Sequence, residues 1–347
     1  MLGLGSRSST LRPALQSLWQ ANLGGHVISL CTTREAIAAA IADGPITILE
    51  ANSGKRQAEL PGHRSGISQI AWRNSEMLAS GGCDGLVRIW NPQLGTEILT
   101  LEAGADWVER VAWSPSGQYL ACAAGRNLTI WDFNHPTHPH QRIPAQQSTV
   151  ADIAWKPGHE NILASCGYNG LAFWSPTSPE PTRKFDWKGS MLALAWSPDG
   201  KYIATGNQDS TIQFWNIESA KELHMSGYRA KIRELSWDCT SRFLATGGSA
   251  TAVVWDCSGK GPAGSTPRLL DFHSSLLTQL AFQHNGSLLA AGCNEGLLSL
   301  WRAHNETLLA TSHLGSAITQ ISWAPSNRRF AAATASGLLK MIDATAV

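Results

Sequence analysis

At 347 residues, with 27 basic and 26 acidic side chains and a net charge of +1, the chain can bury a large core. It lacks the positive excess on which sequence-independent nucleic-acid binding relies, so nucleic acid is not expected as a partner. The seven cysteines are odd in number and lie mostly in apolar strand-like runs, around Cys122 in LACAAG and Cys166 in LASCG. That placement suits buried thiols in a reducing, cytoplasmic setting better than a disulfide framework. No apolar run approaches the roughly 18 residues of a membrane-spanning helix, so no bilayer partner is expected.

The first 20 residues hold Arg7, Arg12, several serines and no acid, a weak likeness to a transit peptide, without the apolar core of a secretory signal. Residues 1–13 are read as a flexible tail. Residues 14–20, ALQSLWQ, alternate apolar and polar side chains as a half-buried strand does. Next comes a short apolar pattern that recurs down the chain: VISL30, ISQIAW72, VERVAW113, VADIAW155, MLALAW196, IRELSW237, LTQLAF282 and ITQISW323. Counted from Leu30 to Trp323, the intervals are 42, 41, 42, 41, 41, 45 and 41 residues, so eight units follow one another as a single array.

Within each unit the apolar run is followed by a polar turn such as SPSG (114–117), then by a run of small residues such as YLACAA. A second turn around Asp, Asn or Gly leads into a strand ending in LVRIW90, LTIW131, LAFW174, TIQFW215, AVVW255 or LLSLW301, and more weakly in ITIL49 and LKMI342. Runs of four to seven β-branched and aromatic residues between turn signals are strands. A less regular fourth strand, as in EILTL101 or ETLLAT311, completes each unit as a four-stranded antiparallel sheet. The eighth unit runs out after its third strand, leaving an open edge of unpaired backbone groups. Residues 14–20 stand where a fourth strand precedes any other unit, and are expected to complete the last one.

The spacing over eight copies, together with Trp131-Asp132 and Trp255-Asp256, resembles the WD-repeat family over about residues 14–347. The resemblance implies an all-β fold: a single closed β-propeller of eight four-stranded antiparallel blades, with seven blades, the commonest number in the family, as the alternative. It also implies a structural relay of a histidine before the first strand, a hydroxyl in the second, an aspartate in the following turn and the third-strand tryptophan. Here these are His63, Ser80, Asp84 and Trp90. Only the second unit carries all four. At the histidine position later units offer Gln146, Trp187, Tyr228 and His273, and Ala39, Cys122, Ala291 and Ala332 replace the hydroxyl in the first, third, seventh and eighth.

Ser80, His63 and Asp84 are also the residue types of a hydrolytic triad, but no nucleophile-elbow motif accompanies them, and the blade relay is the preferred reading. GLGSRSS near the start has no preceding strand and no Gly-Lys-Ser/Thr ending, so it is not read as a phosphate loop. No cofactor is expected. His135, His138 and His140 lie close together on a proline-rich loop and are candidate metal ligands, with solvated histidines as the default. Three residues before each first-strand aromatic stand Gln69, Arg110, Asp152, Ala193, Glu234, Gln279 and Gln320, with Val27 in the first unit. These should ring the axial channel and bridge neighbouring blades or water.

The function implied is a non-enzymatic scaffold, a monomeric propeller within a complex, that binds protein or peptide partners on one face. The alternative is a small-molecule- or metal-binding propeller, possibly catalytic, that uses the channel or the histidine loop. Loops before the first strand and between the second and third share one end of every blade. They carry Arg64, Asp106, Trp107, Arg126, Tyr168, Lys188, Arg229 and Lys231, a set rich in the residue types that anchor interfaces.

Overall fold

The structure, a computed structural model, describes residues 13–105, 107–135, 141–143, 146–158, 160–259 and 261–345. The second unit shows how a blade is built. Its strands Ile67–Asn74, Met77–Gly82, Leu86–Asn91 and Thr96–Glu102 pair antiparallel in succession. Leu78 and Trp90 pack with Ile46, Ile48 and Leu60 of the preceding blade, while Ala79, Val87 and Ile89 pack with Val108, Val111 and Leu120 of the next. A sheet buried on both faces reads as a continuous apolar run, not as an alternation. That is why Tyr119–Ala124, YLACAA, is buried at all six positions.

Hydrogen bonding divides the described strands into seven sheets, six of four strands and one of six. The six-stranded sheet holds two repeat units. Its strand Leu163–Trp174 doubles back at Asn169 and Gly170, both at positive φ, as the Asn-Gly turn of a tight hairpin does. Residues 163–167 pair with Val150–Trp155, whereas 170–173 pair with 183–186. Strand Arg183–Trp196 then runs on without a break, and its residues 191–196 pair with the next unit's Tyr202–Asn207. The outermost strand of the fourth blade thus becomes the innermost strand of the fifth. Seven sheets therefore correspond to eight blades.

The innermost strands stand side by side around the ring, and the circle closes where Val27–Thr32 meets Ile318–Trp323. The eighth blade has the strand order Gln16–Asn22, Leu338–Asp343, Arg329–Thr334, Ile318–Trp323. Its outer pair runs antiparallel from Gln16 opposite Asp343 to Asn22 opposite Leu338. This strand begins two residues later than residues 14–20 and ends two residues beyond them. Ala14 instead forms a parallel bridge to Thr311 of the seventh blade, and Leu15 N–H donates to the Thr311 carbonyl. Leu15 is buried there, and Trp19 donates its indole N–H to the Ala51 carbonyl of the first blade at 3.1 Å. One short segment therefore touches three blades.

The register corrects the alignment of the first unit. Val27 pairs with Ile41 just before a bulge, as Ile67 pairs with Gly82, so Ser29 is the counterpart of Gln69 and Thr32 of Trp72. The first interval is accordingly 40 residues, from Thr32 to Trp72. Val27 is fully buried and does not belong to the channel ring. Among the described residues the one helical element is the 3-10 turn Ala303–Asn305, and no helix is long and apolar enough to cross a membrane.

Candidate protein-interaction face and the relays beneath it

In the second blade His63 Nε2 lies 2.7 Å from Ser80 Oγ, His63 Nδ1 lies 2.8 Å from Asp84 Oδ1, and Trp90 Nε1 donates to Ser80 Oγ at 2.8 Å. The directions follow from donor chemistry. An indole N–H can only donate, so the Ser80 oxygen accepts it and gives its own proton to Nε2. Nδ1 then carries the ring proton and donates it to the carboxylate. Burial, opposed by Asp84, holds the His63 pKa below its ordinary value, which agrees with a neutral ring. Burial raises the Asp84 pKa, but the His63 hydrogen bond, the Leu86 backbone N–H and Arg88 outweigh it and hold the carboxyl below its usual range. Arg88 carries the network outward to Glu97 at 2.7 Å. Ser80 is fully buried, its oxygen is taken up by an indole, and it offers no attacking position to a substrate.

The other blades rebuild this device from different parts. In the sixth, Tyr228 replaces the imidazole: its hydroxyl lies 2.8 Å from Thr246 Oγ1 and accepts the Trp255 indole at 2.8 Å. Burial pushes the Tyr228 phenol up to about 12. In the seventh, Ala291 provides no hydroxyl, and Ser299 on the third strand, directly opposite Ala291, supplies it instead. Ser299 Oγ lies 2.8 Å from His273 Nε2 and accepts Trp301 Nε1 at 2.8 Å. The aspartate position there is Glu295, which Ser274 holds, and burial alone lowers His273 to about 4. Searching only the second strand for the hydroxyl missed Ser299. In the fourth blade Ser165 accepts the Trp174 indole at 2.8 Å, but the histidine position is Gln146. In the fifth, Trp187 Nε1, Thr205 Oγ1 and Trp215 Nε1 are buried and find no partner.

Toward the axis, the polar ring ties blade to blade. Ser29 Oγ accepts Ile70 N–H, Gln69 Oε1 accepts Val111 N–H, and Asp152 Oδ2 accepts Leu194 N–H, each from the next blade. Arg110 donates to Asp152 Oδ1 at 2.9 Å, and Gln320 donates to the Ile28 carbonyl at 2.9 Å across the closure. Burial raises the Glu234 carboxyl pKa. A second set of ties comes from the first-strand indoles. Trp72, Trp113, Trp155, Trp196, Trp237 and Trp323 each donate to a carbonyl of the preceding blade, those of Cys31, Ala71, Ala112, Ala154, Ala195 and Ala281. The pattern recurs because one residue type, one period apart, always meets the same backbone. The Phe282 ring has no N–H to give. There the Ser236 hydroxyl accepts the Phe282 backbone N–H, and a largely apolar cleft of about 550 Å³ opens beside Phe243 and Phe282.

Arg64, Trp107, Arg126, Tyr168, Lys188, Arg229 and Lys231 are all exposed. Arg64, Trp107, Arg229 and Lys231 sit in loops that precede an innermost strand and Arg126 in one that joins a second strand to a third, whereas Tyr168 adjoins the Asn169-Gly170 reversal within Leu163–Trp174 and Lys188 lies in the continuous strand Arg183–Trp196. Trp107 and Tyr168 are 65% and 53% exposed, and Leu276, which the composition of the loops did not single out, is 41% exposed in a loop of the same class. Arg126 is steadied by donating to the Gln146 carbonyl. Acidic Asp43, Asp209 and Glu295 occupy other loops of this class. Asp106 lies outside the described residues, as do His138 and His140. His135 is exposed on a loop of the opposite class. Among the described residues no group of three His, Cys, Asp or Glu side chains comes together as a metal site.

Family comparisons agree with this architecture. The "WD domain, G-beta repeat" description matches residues 54–91, 95–132, 180–216 and 220–256, and the "Anaphase-promoting complex subunit 4 WD40 domain" description matches 254–326. A protein transport protein SEC13 of Eremothecium gossypii is 38% identical over 109 residues, 28% of this chain and 37% of that protein. A protein transport protein sec13 of Emericella nidulans is 26% identical over 165 residues, covering 40% and 53%. The Arabidopsis thaliana protein named cell division cycle 20.1, cofactor of APC complex, is 33% identical over 124 residues, covering 33% and 27%. The matches thus span about a quarter to a half of these relatives' lengths. The crystal structure of the computationally designed Ika8 protein superposes with a TM-score of 0.82 at 20% identity, covering 95% of this chain and 99% of that one, a likeness of fold. Repeat period, blade construction and family matches converge, and the chain belongs to the WD-repeat family.

Proposed function

We propose that the protein is a non-enzymatic scaffold that holds a protein or peptide partner against the end of the propeller bearing Trp107, Tyr168 and the exposed basic residues. The observation that carries this reading is the pair of large aromatics left more than half exposed at that end. Exposed aromatics beside arginine supply apolar burial with a polar tip, the combination that anchors interfaces. Arg126, Arg229 and Lys231 favour a partner segment of acidic character. A named cofactor of a complex among the relatives accords with partner binding, and seven free cysteines accord with a cytoplasmic setting.

The test uses the partner retrieved with the intact protein from its own cells and purified. Trp107→Ala, and Arg229→Glu with Lys231→Glu, should each weaken binding at least about tenfold, the equivalent of about 1.4 kcal/mol, while circular dichroism stays unchanged. Undiminished binding by folded variants, or loss only through His135→Ala, would place the interface at the other end.

A further inference from the structure

The fourth blade carries a relay with its central ring left out. His63 and His273 each stand four residues before the first buried apolar residue of an inner strand, Ile67 and Leu277, and each imidazole reaches a buried serine hydroxyl, at 2.7 and 2.8 Å. The equivalent residue before Val150 is Gln146. Ser165, which is 5% exposed, accepts the Trp174 indole N–H on one side as Ser80 accepts Trp90. Its own proton remains to be given. Four residues after Ser165, where Asp84 follows Ser80, stands Asn169; its Nδ2 donates to Gln147 Oε1 at 2.9 Å, and its Oδ1 is an acceptor. Between these groups lies a cleft of about 150 Å³ lined by Gln146, Ser165, Tyr168 and Asn169, with Cys166 and the oppositely charged Lys184 and Asp186 as the other titratable groups that face it, open at the end of the blade where Tyr168 is exposed.

We propose that this cleft is a binding site for a neutral imidazole ring, supplied by a histidine side chain of a partner segment. The ring's unprotonated nitrogen accepts from Ser165 Oγ–H, its N–H donates toward Asn169 Oδ1, and the chain Trp174 to Ser165 to imidazole reproduces what the second blade builds internally. A phenyl ring fits the same space but leaves the hydroxyl proton unanswered, so the site selects for the acceptor nitrogen. Protonation of the imidazole removes that nitrogen's lone pair, so binding belongs to pH values above the ligand's ordinary pKa of about 6.5. The choice of a partner's histidine as the source rests on the interaction-face reading above. Binding of the ring itself does not.

The probe is Nα-acetylhistidine methylamide, with free imidazole and Nα-acetylphenylalanine methylamide as comparisons. The reporter is the Trp174 indole N–H resonance, assigned by its loss in Trp174→Phe. At pH 8 the histidine probe should shift this resonance saturably with a roughly millimolar dissociation constant, as befits so small a ligand. At pH 5.5, where only about a tenth of the histidine probe is neutral, its apparent affinity should fall about tenfold, and at pH 8 the phenylalanine probe should bind at least about tenfold more weakly than the histidine probe. Gln146→His should fill the cleft from within, raise the melting temperature and abolish the shift. Ser165→Ala should abolish it without filling the cleft. Equal binding of free imidazole and the histidine probe would assign the site to a free heteroaromatic ligand and refute the partner histidine. No shift at pH 8, equal binding of the phenyl probe, or retained binding in both variants would overturn the proposal outright. Loss of partner binding in Trp107→Ala with an intact Ser165 response would leave this site standing whatever becomes of the wider face.

Discussion

Moving one hydroxyl between two strands tests the seventh-blade relay. Ser299 is fully buried and serves two groups at 2.8 Å, His273 Nε2 and Trp301 Nε1, which are themselves 5% and 4% exposed residues. Ser299→Ala removes both hydrogen bonds and strands two buried polar atoms beside a methyl group. With a penalty of about 1–3 kcal/mol for each buried group left unsatisfied, the two stranded groups should cost about 2–6 kcal/mol. Urea unfolding at pH 7.5 should show it as a lower midpoint at unchanged slope. Ala291 stands directly opposite Ser299 on the neighbouring strand, where the second blade carries Ser80. The double variant Ser299→Ala, Ala291→Ser should therefore recover at least half of the loss, because the hydroxyl returns to the place it holds in that blade. A single-variant loss below about 0.5 kcal/mol, the range of inert surface changes, would refute the relay as a source of stability. So would a double variant no more stable than the single one.

Three further expectations concern the same architecture. His63 and His273 both have folded pKa values below the ordinary 6.5, that of His273 about 4. The unfolded chain therefore binds more protons than the folded one below about pH 6.5, and stability should be full above that pH and fall between 6.5 and 4. His273 alone accounts for a loss on the order of 3 kcal/mol; flat stability over that range in a pH series of urea melts would contradict it. Trp196→Phe removes the indole donor to the Ala154 carbonyl and should cost about 1–2 kcal/mol, read as a lower urea midpoint; an unchanged midpoint would show that these ties are incidental. Deleting residues 1–22 exposes the Leu338–Asp343 edge and should give oligomers or loss of cooperative unfolding by light scattering and calorimetry. A truncated monomer that melts like the full chain would refute closure by that segment.

The repeat was legible because a blade is one supersecondary unit copied at a nearly constant period, so its aromatic ends and small-residue runs line up without any knowledge of contacts. The first unit was misaligned by two residues because Thr32 stands where other blades carry an aromatic, and apolarity drew the alignment to Leu30. Strand pairing, which sequence cannot show, restored it. The Ser80 relay could be placed residue by residue, since all four parts are present in order. Ser299 could not, because its service depends on two adjacent strands presenting side chains to one face. The indoles were visible as recurring letters, but that each reaches back to the preceding blade's carbonyl is a property of the closed ring.

The pairing of Gln16–Asn22 with Leu338–Asp343 has a consequence for the order of events during synthesis. Blades assemble from neighbouring segments and can form in turn as the chain leaves the ribosome, whereas this one must wait for residue 343. Thermodynamically the delay is cheap. Closing a loop of about 320 residues instead of about 40 adds only about 2 kcal/mol of chain entropy, because the cost grows with the logarithm of length. In time it is not cheap, since contacts this distant in sequence are the last to be found. Throughout elongation a segment carrying Leu15, Leu18 and Trp19 has no edge to join, and every earlier blade edge is a possible wrong destination. Fidelity then rests on the three-way fit of Leu15 to the seventh blade, the strand to the eighth and Trp19 to the first, a combination that an intermediate edge does not offer.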